Sequence, residues 1–284
     1  MSSVEVPIID MSGVLAGTPG SEQKVAAEIG AACESLGLFI VVNHGVPEAL
    51  LESTSDAAKE FFSLPRAEKE RVRNEGGSGP GYMPMLEENY EENRCTPKEC
   101  FNVMKEQKGL WPPRPAGFMP TVSEYVGAMD RLAETLMRLF ALALGQPDDA
   151  YRDKFERRLS FLRIVNYPDQ DSEPNAGHYR CEPHTDLGTL TILRSENRPG
   201  GLQVLDSDGE WADVLTQPGA LIVNCADEMS RWTNGRWISP VHRVVNPPAE
   251  QRLESRRLSL IFFHNPDSIR HTVESYLKGT LAIV

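Results

Sequence analysis

Cysteine is scarce and wrongly patterned for a disulfide framework or a zinc ribbon: Cys33, Cys95, Cys100, Cys181 and Cys225 are odd in number and include no C-x-x-C pair. No apolar run approaches the roughly 18 residues that a membrane-spanning helix needs. Met1 to Asp10 has neither the basic nor the apolar block of a secretory leader. Positive charge is also short, with 29 Lys and Arg against 41 Asp and Glu and a formal net charge of −12. That balance gives no global attraction for nucleic acid or for an anionic membrane surface. These absences predict a cytoplasmic protein in a reducing compartment whose partner is a small molecule. They leave the oligomeric state open.

The 284 residues, 40% of them hydrophobic, are enough to bury a sizeable core. Apolar residues fall at helical spacing from Ser21 to Leu36, and Gly37 supplies a stop. Leu38 to Val42 reads as a buried strand, and a second amphipathic helix starts after Pro47. Glu75 to Gly81 is rich in glycine, Tyr82 to Lys108 alternates charge with isolated apolar residues, and this region is expected to form loops and short pieces over a cleft. A proline-rich connector ends at Pro120, and a long helix follows from Val122 to Gly145.

Beyond that helix the texture changes. Short β-branched and aromatic runs recur at 159–167, 189–194, 201–205, 211–215, 219–224, 241–245 and 257–264, separated by Asp208-Gly209, Pro218-Gly219 and Asn234-Gly235. Seven or eight short strands without a helical interruption predict a sandwich or jelly roll. The expected organisation is mixed α+β, mainly β: an N-terminal module over residues 1–120, then a long helix and jelly-roll core over 121–284, packed as one compact unit.

Two constellations carry chemistry. His184 and Asp186 flank Thr185, and in extended chain residues two apart share a face. An imidazole nitrogen and a carboxylate oxygen can therefore reach one metal ion, and His242, opening a distant strand, is the best third ligand. Two His and one carboxylate leave three open positions, which suits Fe(II). An H-x-D pair alone is common in sequences, so the second constellation matters. Arg257 and Ser259 share one face of an otherwise apolar strand. A buried guanidinium needs an anion, either a protein carboxylate or a dicarboxylic cosubstrate gripped through two parallel hydrogen bonds.

Together, His184-Thr185-Asp186, then Ser239 to Pro247 around His242, then Arg257-Leu258-Ser259 resemble the H-x-D…H…R-x-S signature of the isopenicillin-N-synthase-like 2-oxoglutarate/Fe(II) dioxygenases. The likeness extends to Pro7-Ile8-Ile9-Asp10, Gly37 to Val46, Gly200 to Val204 and Trp232 to Gly235, covering about residues 6 to 267. The resemblance implies a double-stranded β-helix with Fe(II) held by His184, Asp186 and His242. It implies that Arg257 and Ser259 grip the distal carboxylate of 2-oxoglutarate, that Tyr167 hydrogen-bonds the same cosubstrate, and that O2 is the oxidant. Decarboxylation to succinate and CO2 would then be coupled to hydroxylation, desaturation or cyclisation of a small organic molecule. Asp186 stands where a halogenating relative needs a small residue, so halogenation is not expected. Relatives often carry a longer C-terminal segment, so a pocket closed differently is expected.

Four readings compete: an Fe(II) oxidase of the same fold without 2-oxoglutarate, an enzyme fragmenting 2-oxoglutarate itself, a zinc hydrolase, and a non-catalytic small-molecule binder. Arg180, Phe263, Arg94, Phe101 and Asn102 are candidate substrate contacts by their place near the expected mouth. His44 is expected to make a structural hydrogen bond, while His178, His264 and His271 have no ligand partner pattern.

Overall fold

The computed structural model describes residues 5–74, 79–84, 98–104, 110–156, 159–175 and 177–267. The chain opens with β1 (Ile8–Asp10), the single turn α1 (Ser12–Leu15), α2 (Ser21–Ser35), β2 (Leu38–Val42), α3 (Glu48–Phe62) and the short α4 (Arg66–Lys69). Two strands, β3 (Gly81–Met83) and β4 (Glu99–Met104), precede the long α5 (Phe118–Ala143). Then come β5 (Phe161–Tyr167), β6 (Cys181–His184), β7 (Leu190–Ser195), β8 (Leu202–Leu205), β9 (Trp211–Asp213) and β10 (Leu221–Cys225). A short helix α6 (Asp227–Trp232) and the strands β11 (His242–Val244) and β12 (Arg257–His264) complete the order.

The strands form two sheets. One has eight strands in the order β1-β2-β10-β7-β12-β5-β4-β3, the other four in the order β6-β11-β8-β9. Strand alternation decides what each face does. On β12, Leu258, Leu260 and Phe262 point outward and are buried against α5, which supplies Val122, Tyr125, Met129, Leu136 and Phe140 from one face. Each such large apolar side chain contributes about 1.5–3 kcal/mol on burial. Between the sheets, Leu38, Ile40 and Ile222 meet Leu202, Val204 and Val244. The sandwich is thus closed at one end by apolar packing, and the other inward positions of β12 are left for a site.

Three local expectations are refined. The short pieces expected around Tyr82 to Lys108 are strands: β3 and β4 add to the edge of the large sheet, and Glu99 to Val103 are buried. Isolated apolar residues hid this strand, because its polar members are satisfied by neighbours instead of solvent. The jelly roll does have a helical interruption, α6, and Asn234-Gly235 terminates that helix in place of joining two strands. Finally, β6 ends at His184, so Asp186 stands in the loop beyond the strand. Gly37 turns with φ 73°, and a Cβ there would meet Ile238 O at 2.2 Å. A side chain at this position is barred by the close chain approach, as the sequence stop implied.

A buried polar cluster fixes the N-terminal segment to the sheet edge. Lys69 Nζ donates to Glu99 Oε2 at 2.6 Å and to Phe62 O at 3.0 Å. Glu99 also accepts from Tyr82 Oη at 2.7 Å and from Asn166 Nδ2 at 2.9 Å. Lys69→Met strips the cation from a buried carboxylate, which costs about 3–5 kcal/mol. Urea unfolding of the two proteins should show that loss, and an unchanged midpoint would mean that the cluster adds nothing.

Candidate metal and cosubstrate site

β6 and β11 are antiparallel neighbours with His184 directly opposite His242. Their ring centroids lie 4.3 Å apart. Each ring is fixed by its Nδ1–H, which donates to a backbone carbonyl: Glu182 O at 2.7 Å for His184, Pro240 O at 3.0 Å for His242. A carbonyl can only accept, so each Nδ1 carries a proton and both Nε2 atoms are turned toward Asp186. Both Nε2 atoms lie 3.8 Å from Asp186 Oδ1. The three ligand atoms fall within 4.8 Å of one another.

Asp186 is aimed from below. Its Oδ2 accepts from Thr191 Oγ1 at 2.6 Å and from Asn224 Nδ2 at 3.0 Å, which turns Oδ1 toward the imidazoles. The loop carrying it is tied at its carbonyls, with Asp227 N donating to Asp186 O at 2.8 Å and Glu228 N to Gly188 O at 3.0 Å. These donors are the first turn of α6, so the unanticipated helix anchors the loop. A Cβ on Gly188 would come within 2.4 Å of His264 O, so glycine is required where the end of β12 crosses.

The electrostatics suit a ligand set. Burial raises the Asp186 pKa, but the His242 and His184 rings and the Thr191 and Asn224 donors outweigh it and hold the carboxyl below its usual range. Burial also opposes charge on His184; the Cys181 thiol and Asp186 reverse this and lift its pKa to about 9. His242 is pushed down by burial, against the pull of Asp186. A divalent ion would replace the proton that His184 otherwise holds. An imidazole pair and an anionic oxygen converging on one point, each fixed from behind, fit Fe(II) and its oxygen and nitrogen donors.

A cavity continues from these residues along the inner face of the large sheet to Tyr167, Ser195, Arg257, Ser259, Ile261 and Phe263. Arg257 lies opposite Tyr167, and Ser259 opposite Ser195, in strand register. Arg257 is only 3% exposed. Its Nη1 donates to Gly200 O at 2.7 Å and its Nη2 to Ser195 Oγ, while its buried Nε has no partner. No carboxylate among the described residues pairs with it. Nearby Glu196 is engaged by Lys59 Nζ at 2.6 Å and by Leu258 N at 2.9 Å. Burial pushes the Arg257 pKa down, which is the cost of a cation lacking its anion. A dicarboxylate spanning from the metal ligands to Arg257 fits both ends of this cavity.

The other sequence candidates divide. Phe263 lines the cavity, while its neighbour Phe262 is core on the other face of β12. Phe101 faces the helices, packed edge-on to Phe61 and Phe118, away from the cavity. Arg180 is 1% exposed, with its terminal nitrogens committed to Ser255, Pro168 and Pro199, so it braces the wall and does not line the cavity. Asn102 is buried beside Arg163, and Arg94 lies outside the described residues. His44 bonds Gly219 O through Nε2 at 2.7 Å, a structural tie. His264 sits on Thr189 at the end of β12, with its ring against Phe155 on the face opposite the cavity. Residues 268–284, where a different pocket closure was expected, also lie outside the described residues. Sequence reading missed Thr191, Ser195 and Asn224; the signal was a polar residue at an inward position of an otherwise apolar strand.

Thr191→Val should weaken Fe(II) retention about 10-fold or more, the lower end for loss of a group behind a ligand. Competition with a chromogenic chelator would read it. Unchanged retention would assign Thr191 to packing.

Comparison with known proteins agrees with this geometry. Residues 6–120 match the family described as non-haem dioxygenase in morphine synthesis N-terminal, and residues 160–266 match the 2OG-Fe(II) oxygenase superfamily. The chain is 33% identical to gibberellin 20 oxidase 2 of Oryza sativa subsp. indica over 93% of its own length and 68% of that protein. It is also 33% identical to the 2-oxoglutarate-dependent dioxygenase citB of Monascus ruber, covering 92% and 85% of the two chains. A full-length Neurospora crassa protein solved with alpha-KG superposes with a TM-score of 0.84 at 28% identity, over 92% of this chain and 85% of the other. A second structure of that protein holds thymine as well.

Proposed function

The chain belongs to the 2OG-Fe(II) oxygenase superfamily, and from that premise we propose that His184, Asp186 and His242 hold its iron while Arg257, Ser259 and Tyr167 grip 2-oxoglutarate. The protein is a 2-oxoglutarate-dependent dioxygenase that oxidises a small organic molecule. When bound, Fe(II) and 2-oxoglutarate activate O2, and the cosubstrate leaves as succinate and CO2. This chain's own residues bind and place. Arg257 and Ser259 present a guanidinium fork and a hydroxyl to the distal carboxylate, and Tyr167 walls the cavity beside them. Leu193, Ile261 and Phe263 keep the space between anchor and metal ligands apolar, which excludes water from the reacting end. Asp186, fixed by Thr191 and Asn224, stays anionic and so keeps its oxygen available.

The observation that carries this reading is the buried Arg257, which has no carboxylate of its own and shares one cavity with two histidines and an aspartate. An anaerobic titration of the apo-protein with Fe(II) and then 2-oxoglutarate tests it, through the weak visible charge-transfer band of the chelate. A saturating band is the expected result. Iron binding without the band would favour an oxidase of the same fold. We place the protein in the cytoplasm: Cys33, Cys100, Cys181 and Cys225 are free thiols, as suits a reducing compartment. No helix among the described residues is long and apolar enough to cross a membrane.

A further inference from the structure

The inner face of the large sheet carries a second arginine that neither the metal nor the cosubstrate uses. On β5, Phe161, Arg163, Val165 and Tyr167 share the inward face, while Leu162 and Ile164 join the helix-side core. Arg163 stands opposite Ile261 of β12 on one side and Asn102 of β4 on the other. Ile261 lines the cavity. Arg163 Nε donates to Asn102 Oδ1 at 3.0 Å, and Asn102 is fully buried and held by its own Nδ2, which donates to Gly79 O at 3.1 Å. The guanidinium lies 5.8 Å from the centre of the Phe161 ring, which stacks on Phe263 at 4.8 Å. No carboxylate among the described residues pairs with Arg163, whereas Arg66, Arg138, Arg231, Arg236 and Arg252 each have one. In a chain with an excess of acid, a half-buried cation on the inward face, beside the cavity-lining Ile261 and without an acid of its own, is a group that can take an external anion.

The geometry points to Arg163 as the recognition group for a carboxylate on the substrate, with Asn102 positioning it and the Phe161–Phe263 stack walling the substrate body. This rests on the reading that His184, Asp186, His242 and Arg257 hold metal and cosubstrate. Strand register gives the layout. Phe263 pairs with Thr191, the residue that grips Asp186, so the Phe161–Phe263–Thr191 row is level with the ligand carboxylate. Arg163 lies one inward position deeper and two strands from β7, roughly 10 Å at about 4.8 Å per strand. Arg257 keeps the cosubstrate on the β12 and β7 side, and Arg163 opens a separate berth toward β4. A molecule held there by its carboxylate presents to the metal ligands a carbon several bonds away, and its body lies against two aromatic rings. The planar fork of arginine matches a carboxylate better than a neutral amide, so charge is the feature selected.

The test uses the whole chain, anaerobic and loaded with Fe(II) and 2-oxoglutarate. Phenylacetate, 3-phenylpropanoate and octanoate are titrated against their primary amides, followed by calorimetry and by perturbation of the chelate band. At least one acid should bind about tenfold or more tighter than its amide, as expected for a charge-assisted contact. Arg163→Gln should abolish that preference, Arg163→Lys should keep part of it, and 2-oxoglutarate affinity should be equal in all three proteins. Parity of every acid with its amide, or a preference that survives Arg163→Gln, overturns the assignment. Failure of the unaltered protein to bind 2-oxoglutarate overturns the cosubstrate reading instead, so the two failures are told apart.

Discussion

Arg257→Leu should leave Fe(II) binding intact and weaken 2-oxoglutarate binding by about 2–5 kcal/mol, the loss expected when a buried, hydrogen-bonded charge pair loses one partner. The size follows from what surrounds the guanidinium. It is buried, its Nε has no protein partner, and the nearest acid, Glu196, is already committed to Lys59 and Leu258. In the free protein the cation is therefore a cost, and leucine, shorter and uncharged, removes that cost. The variant should accordingly be as stable as the parent or more so without ligand, while the rise in melting temperature on adding 2-oxoglutarate disappears. These opposite signs make the measurement decisive. A variant that loses stability without ligand would show that Arg257 is a structural strut tying β12 to Gly200 and Ser195. Ser259, a neutral hydroxyl on the same face, should contribute only about 0.5–1.5 kcal/mol on replacement by alanine.

Much of this was legible in the sequence for a definite reason. Alternation on β12 places Arg257, Ser259, Ile261 and Phe263 on one face, and that face is the cavity wall. The distance between His184 and His242 in the chain is bridged by direct strand pairing, which short β-rich runs in a jelly roll make available. What stayed hidden depends on tertiary partners. Glu99 to Met104 reads as a charged, broken segment because Glu99 and Asn102 are satisfied by Lys69, Tyr82, Asn166 and Arg163, none of them near in sequence. The helix α6 is only six residues long, too short for periodicity to reveal. Its start is nevertheless marked by Asp227 and Glu228 and its last turn by Arg231, charges that suit the helix ends. Arg180 misled because a buried arginine near a site resembles a substrate contact until its carbonyl partners are seen.

His242→Ala should abolish iron retention and turnover together, a larger loss than the roughly 10–100-fold attached to a group behind a ligand. His184 and Asp186 would remain, but two ligands on one side leave the ion without the third donor that defines a face. The fold should survive, since the place of β11 depends on backbone pairing to β6 and β8, and Val244 keeps its packing between the sheets. The side chain leaves an imidazole-sized space bounded by the Pro240 carbonyl and Asp186 Oδ1. Free imidazole added to the variant should therefore restore part of the iron binding, whereas it should do nothing for the parent. Rescue of that kind separates a metal ligand from a packing residue, because packing loss is repaired by any filler of the right size and metal binding only by a nitrogen lone pair. Full iron retention by His242→Ala would move the third ligand elsewhere and break the link between the β6–β11 pairing and the chemistry.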